Sequence, residues 1–332
     1  MNWLRALGLV VVVSFLVPFV GSWLGLAPYQ ELAPAPGFGV EVPAGRLNVH
    51  QRGTGRDVVL VHGHPGSAAM MTPLADALVA EGLRVTWYDR MGWGHSGQRP
   101  ADEAANPTAH ARDLLALLAA LDLEDPVVVG YSYGGGVAME ADRLEPDAIR
   151  TLVLVSSTGP LHEHVQASFL ARVITHPLMM RWAFGIESIA RAAVGPSMDA
   201  LATPETLDPE MRDTFLATLA LPGVPTNWAR ERNERYQGFT ANRPAEVTAC
   251  TRVLHGSDDA IVSIEVARGL ANEIPGARFT EVRDAGHGLV MARAPWLAEQ
   301  IADHATSCEP DTAPAVAEHA TPGSMNPVGA SQ

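Results

Sequence analysis

The run Gly130-Tyr131-Ser132-Tyr133-Gly134 constrains this chain more than any other segment. It follows the apolar stretch Pro126-Val127-Val128-Val129, which reads as a buried parallel strand, and it opens Gly135 to Leu144, which reads as a helix. A serine flanked by glycines at G-x-S-x-G spacing, between a strand and a helix, has the pattern of a nucleophile elbow. The glycines answer a steric need. The serine backbone is strained there, and side chains at Gly130 and Gly134 would strike the neighbouring strand and helix. Such a turn holds Ser132 Oγ clear of the sheet and sets the backbone N–H of Tyr133 at a helix N-terminus, facing developing negative charge.

The rest of the chain supplies a sheet for this turn. Val40-Glu41-Val42 and Leu47-Asn48-Val49-His50 alternate about Pro43-Ala44-Gly45 as an opening hairpin. Buried strands are expected at Val58–Val61, Arg84–Tyr88, Val127–Val129 and Leu152–Val155, with a helix over Ala68–Ala80 and a leucine stripe from Leu114 to Leu121 between them. That alternation predicts an α/β fold, a mostly parallel sheet flanked by helices on both faces. From about Gly159 to Ala245 the rhythm breaks, leaving helical patterns at Ser168–Ile174, Leu178–Ile189 and Pro209–Leu219 and no buried strand. It resumes with strands at Cys250–Leu254 and Ala277–Val282, a helix over Ser263–Glu273 between them and a last helix over Pro295–Asp303. Residues 307–332, rich in Pro, Ala, Ser and Thr without periodicity, read as a disordered tail.

Composition removes several chemistries. At 332 residues and 47% hydrophobic content the chain can bury a sizeable core. A net charge of −14 argues against nucleic acid and anionic lipid as partners, since both would be repelled. Every basic residue is arginine, so a lysine phosphate loop, a Schiff base and a Ser-Lys dyad are all excluded. The two cysteines, Cys250 and Cys308, form neither a disulfide framework nor a metal spacing; Cys250 reads as a core residue and Cys308 as a free thiol in the tail.

The N-terminus differs in kind. Ala6 to Gln30 contains no charged residue, and Ala6 to Leu26 is almost wholly apolar. Roughly 20 apolar residues span a bilayer, against about 7–15 in a signal peptide. Residues 1–28 are therefore expected to form an uncleaved transmembrane signal-anchor, with Trp3 and Trp23 near the interfaces and the domain on the extracytoplasmic side. The alternatives are a cleaved signal, with Val20-Gly21-Ser22 as the small-residue site and a secreted or periplasmic product, and a buried helix of a soluble protein.

A serine hydroxyl needs a base near neutral pH, and the base needs an orienting carboxylate. Both follow the insertion. His255-Gly256-Ser257-Asp258-Asp259 places two acids just past one strand, and Asp284-Ala285-Gly286-His287-Gly288 places a histidine just past the next. Carboxyl ends of parallel strands open onto one edge, so Ser132, one of these aspartates and His287 can converge.

With these motifs the chain resembles the α/β-hydrolase superfamily over about residues 38–305, nearest its epoxide-hydrolase-like, haloperoxidase-like and esterase branch. His62-Gly63-His64-Pro65-Gly66 is similar to the family's oxyanion loop, which implies the backbone N–H of His64 as the second donor beside Tyr133. Asp89-Arg90-Met91-Gly92-Trp93-Gly94-His95-Ser96 is similar to a family loop that is largely structural. The family's Gly-x-x-Asp pattern implies Asp259 rather than Asp258 as the third member with Ser132 and His287. The resemblance makes residues 38–158 and 246–305 the core and 159–245 a helical cap. Met179, Met180, Trp182 and Phe184 fit an acyl pocket in that cap and fit helix packing equally well. His62 with His64, and His162-Glu163-His164, are better explained by the loop and by a polar cap surface than by a metal.

The expected activity is hydrolysis of a small-molecule carboxylic ester, lipophilic esters included, without a cofactor or metal. Serine at Ser132 in place of aspartate argues against epoxide or haloalkane chemistry, and Gly288 stands where carbon–carbon bond hydrolases usually carry tryptophan. Amidase, lactonase and perhydrolase activities fit the same residues. So do an acyltransferase and a non-turnover ligand-binding protein on the same fold.

Overall fold

The structure is a computed structural model, and it describes residues 36–159, 207–234 and 243–308, with isolated residues 16, 19–21, 23, 24, 176, 180, 201 and 204. Its strands are β1 (Phe38–Val42), β2 (Gly45–Arg52), β3 (Asp57–Val61), β4 (Arg84–Asp89), β5 (Val127–Tyr131), β6 (Thr151–Val155), β7 (Cys250–Gly256) and β8 (Arg278–Val282). They make one eight-stranded sheet in the order β1-β2-β4-β3-β5-β6-β7-β8. β2 is antiparallel to both β1 and β4, whereas all pairs from β4 onward are parallel.

The helices are α1 (Ala68–Ala80), α2 (Pro107–Ala120), α3 (Tyr133–Leu144), α4 (Pro209–Leu219), α5 (Val224–Glu234), α6 (Ile264–Glu273), the single turn α7 (Leu289–Ala292) and α8 (Ala294–Ser307). Local chemistry starts several of them. Asn106 caps α2 by accepting from Ala109 N at 3.0 Å, with Pro107 in the first turn, where its missing N–H costs nothing. Asp208 and Ser263 cap α4 and α6 in the same way, through Glu210 N at 2.8 Å and Glu265 N at 3.3 Å.

The central strands are continuous apolar runs because helices cover both faces. Alternate residues of β3 and β5 separate accordingly: Val58, Leu60, Val127 and Val129 pack with Leu74 of α1 and Leu297 of α8, while Val59, Val61 and Val128 pack with Leu114 of α2 and Val137 of α3. Between β6 and β7 lies the long insertion, of which α4 and α5 are described; Ser168–Ile174 and most of Leu178–Ile189 lie outside the described residues.

Three expectations are corrected. Among the described residues no helix is long and apolar enough to cross a membrane, so the membrane-anchored, extracytoplasmic placement and its membrane partner are withdrawn; most of residues 1–28 lies outside the described residues. The tail does not begin at Ser307, because α8 continues through Ser307 to a C-cap at Cys308, and residues 309–332 lie outside the described residues. Cys308 is not free, nor is Cys250 a core residue. The two form a disulfide across 58 residues, with Cys250 exposed at the start of β7. α8 runs back across the sheet and brings its last turn to the N-terminal edge of β7, where His304 Nε2 lies 3.1 Å from the Cys250 carbonyl. A pairing made by this return path leaves no trace in cysteine spacing.

Candidate active site

Ser132 sits between β5 and α3 with φ 52° and ψ −120°, a left-handed backbone that a non-glycine residue seldom adopts. Neighbouring backbone pins it on both sides. Ser132 N donates to Val155 O at 2.9 Å, and Ser132 O accepts from Gly135 N at 3.0 Å and Thr158 N at 3.2 Å. The flanking glycines are close approaches. A Cβ at Gly130 would lie 2.4 Å from Gly135 Cα, and one at Gly134 would lie 2.2 Å from the Val61 carbonyl oxygen.

The loops that leave β7 and β8 reach the same edge. They bring His287 Nε2 to 3.0 Å from Ser132 Oγ and Asp259 Oδ2 to 2.7 Å from His287 Nδ1. Ser132 is 6% and His287 2% exposed, so this chain of hydrogen bonds is largely shielded from water. Asp259 Oδ1 accepts from Ile261 N and Val262 N, both at 2.8 Å, which orients the carboxylate. Burial raises the Asp259 carboxyl, but hydrogen bonds from His255 and His287 outweigh it and hold the group well below the usual carboxylate range. An ionised Asp259 requires the proton of His287 on Nδ1 and leaves the Nε2 lone pair toward Ser132 Oγ. The arrangement can thus take a proton from the serine hydroxyl.

The loop after β3 abuts the elbow, since a Cβ at Gly63 would lie 3.0 Å from Ser132 Cβ. Buried hydrogen bonds set this loop. Arg90 N donates to His62 Nε2 at 3.0 Å, so Nδ1 of that ring carries the proton and donates to Gly63 O at 2.9 Å. The Arg90 guanidinium donates through Nη2 to Gly63 O at 3.0 Å and through Nε to His62 O at 3.2 Å. It also lies 4.6 Å from the centroid of the Tyr133 ring. Burial and the Arg90 charge push the His62 pKa well down, consistent with a neutral ring. Tyr133 is the first residue of α3, and its N–H belongs to that helix's N-terminus.

Above this loop lies α5. Glu231 Oε1 is 2.7 Å from Arg90 Nη1 and 3.5 Å from His64 Nδ1, and Oε2 accepts from Trp93 Nε1. The ring of His64 stands edge-on to those of Trp93 and Trp228, at 5.2 and 6.1 Å. A cavity of about 260 Å³ lined by Arg99, Glu103, Arg112 and Asp113 includes none of the residues that converge at Ser132.

The description alpha/beta hydrolase fold belongs to a family model that matches residues 58–294. The chain belongs to that family. It is similar to a 2-hydroxymuconate semialdehyde hydrolase of Pseudomonas sp. (strain CF600), at 28% identity over 81% of this chain and 94% of the relative. Its fold is similar to that of an esterase from Exiguobacterium antarcticum, with TM-score 0.68 and 20% identity, covering 81% of this chain and 99% of the other. A thermophilic esterase from Thermogutta terrifontis is also similar, with TM-score 0.66 and 25% identity, covering 82% and 99%. Membership of the α/β-hydrolase family is thereby established, and the hydrolases among its relatives support an enzyme that acts on a small molecule.

The α/β hydrolase brings together Ser132, Asp259 and His287, with the loop carrying His64 and the helix opened by Tyr133 beside them. Asp258, the rejected alternative, is exposed. Met180 is buried in the apolar core, whereas Met179, Trp182, Phe184 and His162-Glu163-His164 lie outside the described residues. Two participants escaped the sequence reading. His255 reaches Asp259 Oδ2 at 3.2 Å, and its place four residues before that aspartate was the available signal. Glu231 stands in an insertion without a motif, so nothing in the sequence marked it.

Proposed function

We propose that this α/β hydrolase cleaves carboxylic esters through a serine acyl-enzyme. The carrying observation is the chain of contacts from Ser132 Oγ through His287 to Asp259, at 3.0 and 2.7 Å, behind a left-handed serine. His287 Nε2 takes the hydroxyl proton as Oγ attacks the ester carbonyl, and Asp259 stabilises the resulting imidazolium. The carbonyl oxygen becomes an oxyanion, held by the backbone N–H groups of His64 and Tyr133. His287 then gives its proton to the leaving alcohol. Water repeats the sequence on the acyl-enzyme, releasing the acid and restoring the serine. No step calls for a cofactor.

Ser132→Ala should abolish hydrolysis of p-nitrophenyl esters graded by acyl length while leaving the melting temperature within a few degrees. Retained turnover would refute the assignment. A second reading comes from the similarity to 2-hydroxymuconate semialdehyde hydrolase, and that compound belongs in the same panel. The residue after His287 weighs against it. Gly288 N donates to Leu201 O at 2.6 Å, and a Cβ at Gly288 would lie 2.9 Å from the same oxygen, so the tryptophan usual there in carbon–carbon bond hydrolases would require this backbone contact to shift.

A further inference from the structure

Glu231 lies on the inserted helix α5, yet its carboxylate is buried against the core beneath it. Around it the side chains of Arg90, Trp93, His64, His110 and Asn227 come within 3.6 Å or closer. Burial raises this carboxyl, and Arg90, with His110 and His64, outweighs it and keeps the group ionised. A buried carboxylate is costly unless a charge answers it, and Arg90 supplies that charge with both side chains at 0% exposure. The match extends along the helix. Gly92 has no room for a side chain because a Cβ there would lie 2.3 Å from Asn227 Cγ. Arg230 donates to the carbonyls of Arg99, Pro100 and Glu103 at 2.9, 3.0 and 2.6 Å.

Arg90 is tied at its other end to the loop that precedes His64. Its guanidinium and the His62 ring both donate to Gly63 O. A trans peptide sets N–H antiparallel to C=O in one plane, so fixing the Gly63 carbonyl toward Arg90 points the His64 N–H the opposite way, away from Arg90. Gly63 lies beside the elbow, where an added Cβ would come 3.0 Å from Ser132 Cβ. The orientation of one candidate oxyanion donor is therefore set by a guanidinium whose own place is set by Glu231.

We propose that Glu231 is a positioning residue for the oxyanion site: seated from α5 onto Arg90, it orients the Gly63–His64 peptide, so docking of the inserted helix and competence of the hole are a single event. This rests on the ester-hydrolase reading above. A purely structural ion pair would contribute to stability alone. A buried pair replaced on both sides by neutral groups of similar size commonly costs little stability, whereas the loss of orientation persists.

The test is a cycle of Glu231→Gln, Arg90→Met and the double variant, measured by thermal unfolding, by kcat and KM on a p-nitrophenyl ester, and by inhibition with a phenylboronic acid. Each single variant is expected to lose roughly 10- to 100-fold in kcat with KM within about 3-fold, and to bind the boronate correspondingly less well. The double variant should regain melting temperature relative to the singles but be no more active than Arg90→Met alone. A folded double variant with wild-type kcat and boronate affinity overturns the proposal. Losses in the single variants confined to melting temperature do so too. If the wild type itself turns over no ester, the hydrolase reading fails and takes this proposal with it; if the wild type is active and the variants match it, only the clamp fails.

Discussion

A methyl group added at Gly134 is the most demanding check on the elbow. The Cβ of Gly134→Ala would lie 2.2 Å from the Val61 carbonyl oxygen and 2.8 Å from that of His62, and contacts under 3.0 Å are not sustained. Both obstacles are backbone, so no rotamer change relieves them, and β3 and α3 must part by about 0.8 Å at the least. Overpacking of this kind costs about 1–3 kcal/mol, which lowers the melting temperature by about 2–4 °C for each kcal/mol. Activity should suffer more. Val61 ends β3, and the next residues carry His64, so the displacement moves a donor relative to Ser132. A shift approaching 1 Å in a catalytic group costs about 10²-fold. Thermal unfolding and ester kinetics of the purified variant read both effects. Gly269→Ala serves as control: it lies inside α6 with nothing within 4 Å of its added Cβ and should be neutral or stabilising by up to about 1 kcal/mol. A Gly134→Ala protein that melts and turns over like the wild type would refute the reasoning.

Asp259→Asn should keep the fold but lower kcat by about 10⁴-fold near pH 7.5, because an amide no longer selects the His287 tautomer; a loss under tenfold in steady-state assays argues against that role. Cys308→Ser should destabilise the protein by about 2–4 kcal/mol, from closure of a 58-residue loop, without changing kcat; denaturant unfolding gives the value. Burial raises the Asp113 pKa to about 6, against the opposing pull of Arg99. A carboxyl raised above its unfolded value contributes most below about pH 4, and that contribution is lost as pH rises through about 6. The stability of wild type relative to Asp113→Asn should therefore fall by about 3 kcal/mol between pH 4 and 7, read from paired urea titrations; a flat difference refutes it.

The α/β rhythm was legible because parallel strands covered on both faces are unbroken apolar runs. Ala68–Ala80 and Pro209–Leu219 carry their helical signals within themselves, and the structure has helices over those spans. The residues that meet at Ser132 were legible for a topological reason, since each follows the carboxyl end of a strand and all such ends share an edge. What sequence could not show depends on return paths. The Cys250–Cys308 bridge arises because α8 crosses back over the sheet. The Glu231–Arg90 pair arises because α5 folds onto the loop after β4. Neither has periodicity or spacing to reveal it. The membrane-anchor expectation rested on hydropathy and length alone, and among the described residues no helix is long and apolar enough to cross a membrane.

The disulfide also decides from which side the chain departs. Cys250 begins the seven-residue β7, so its bridge to Cys308 stands about 20 Å of strand away from the edge where Ser132, Asp259 and His287 meet. A solid support, purification handle or fusion partner joined beyond Cys308 is thus tethered at the rear of the sheet. An attachment point at Cys308 would leave the edge that carries Ser132 turned toward the solution.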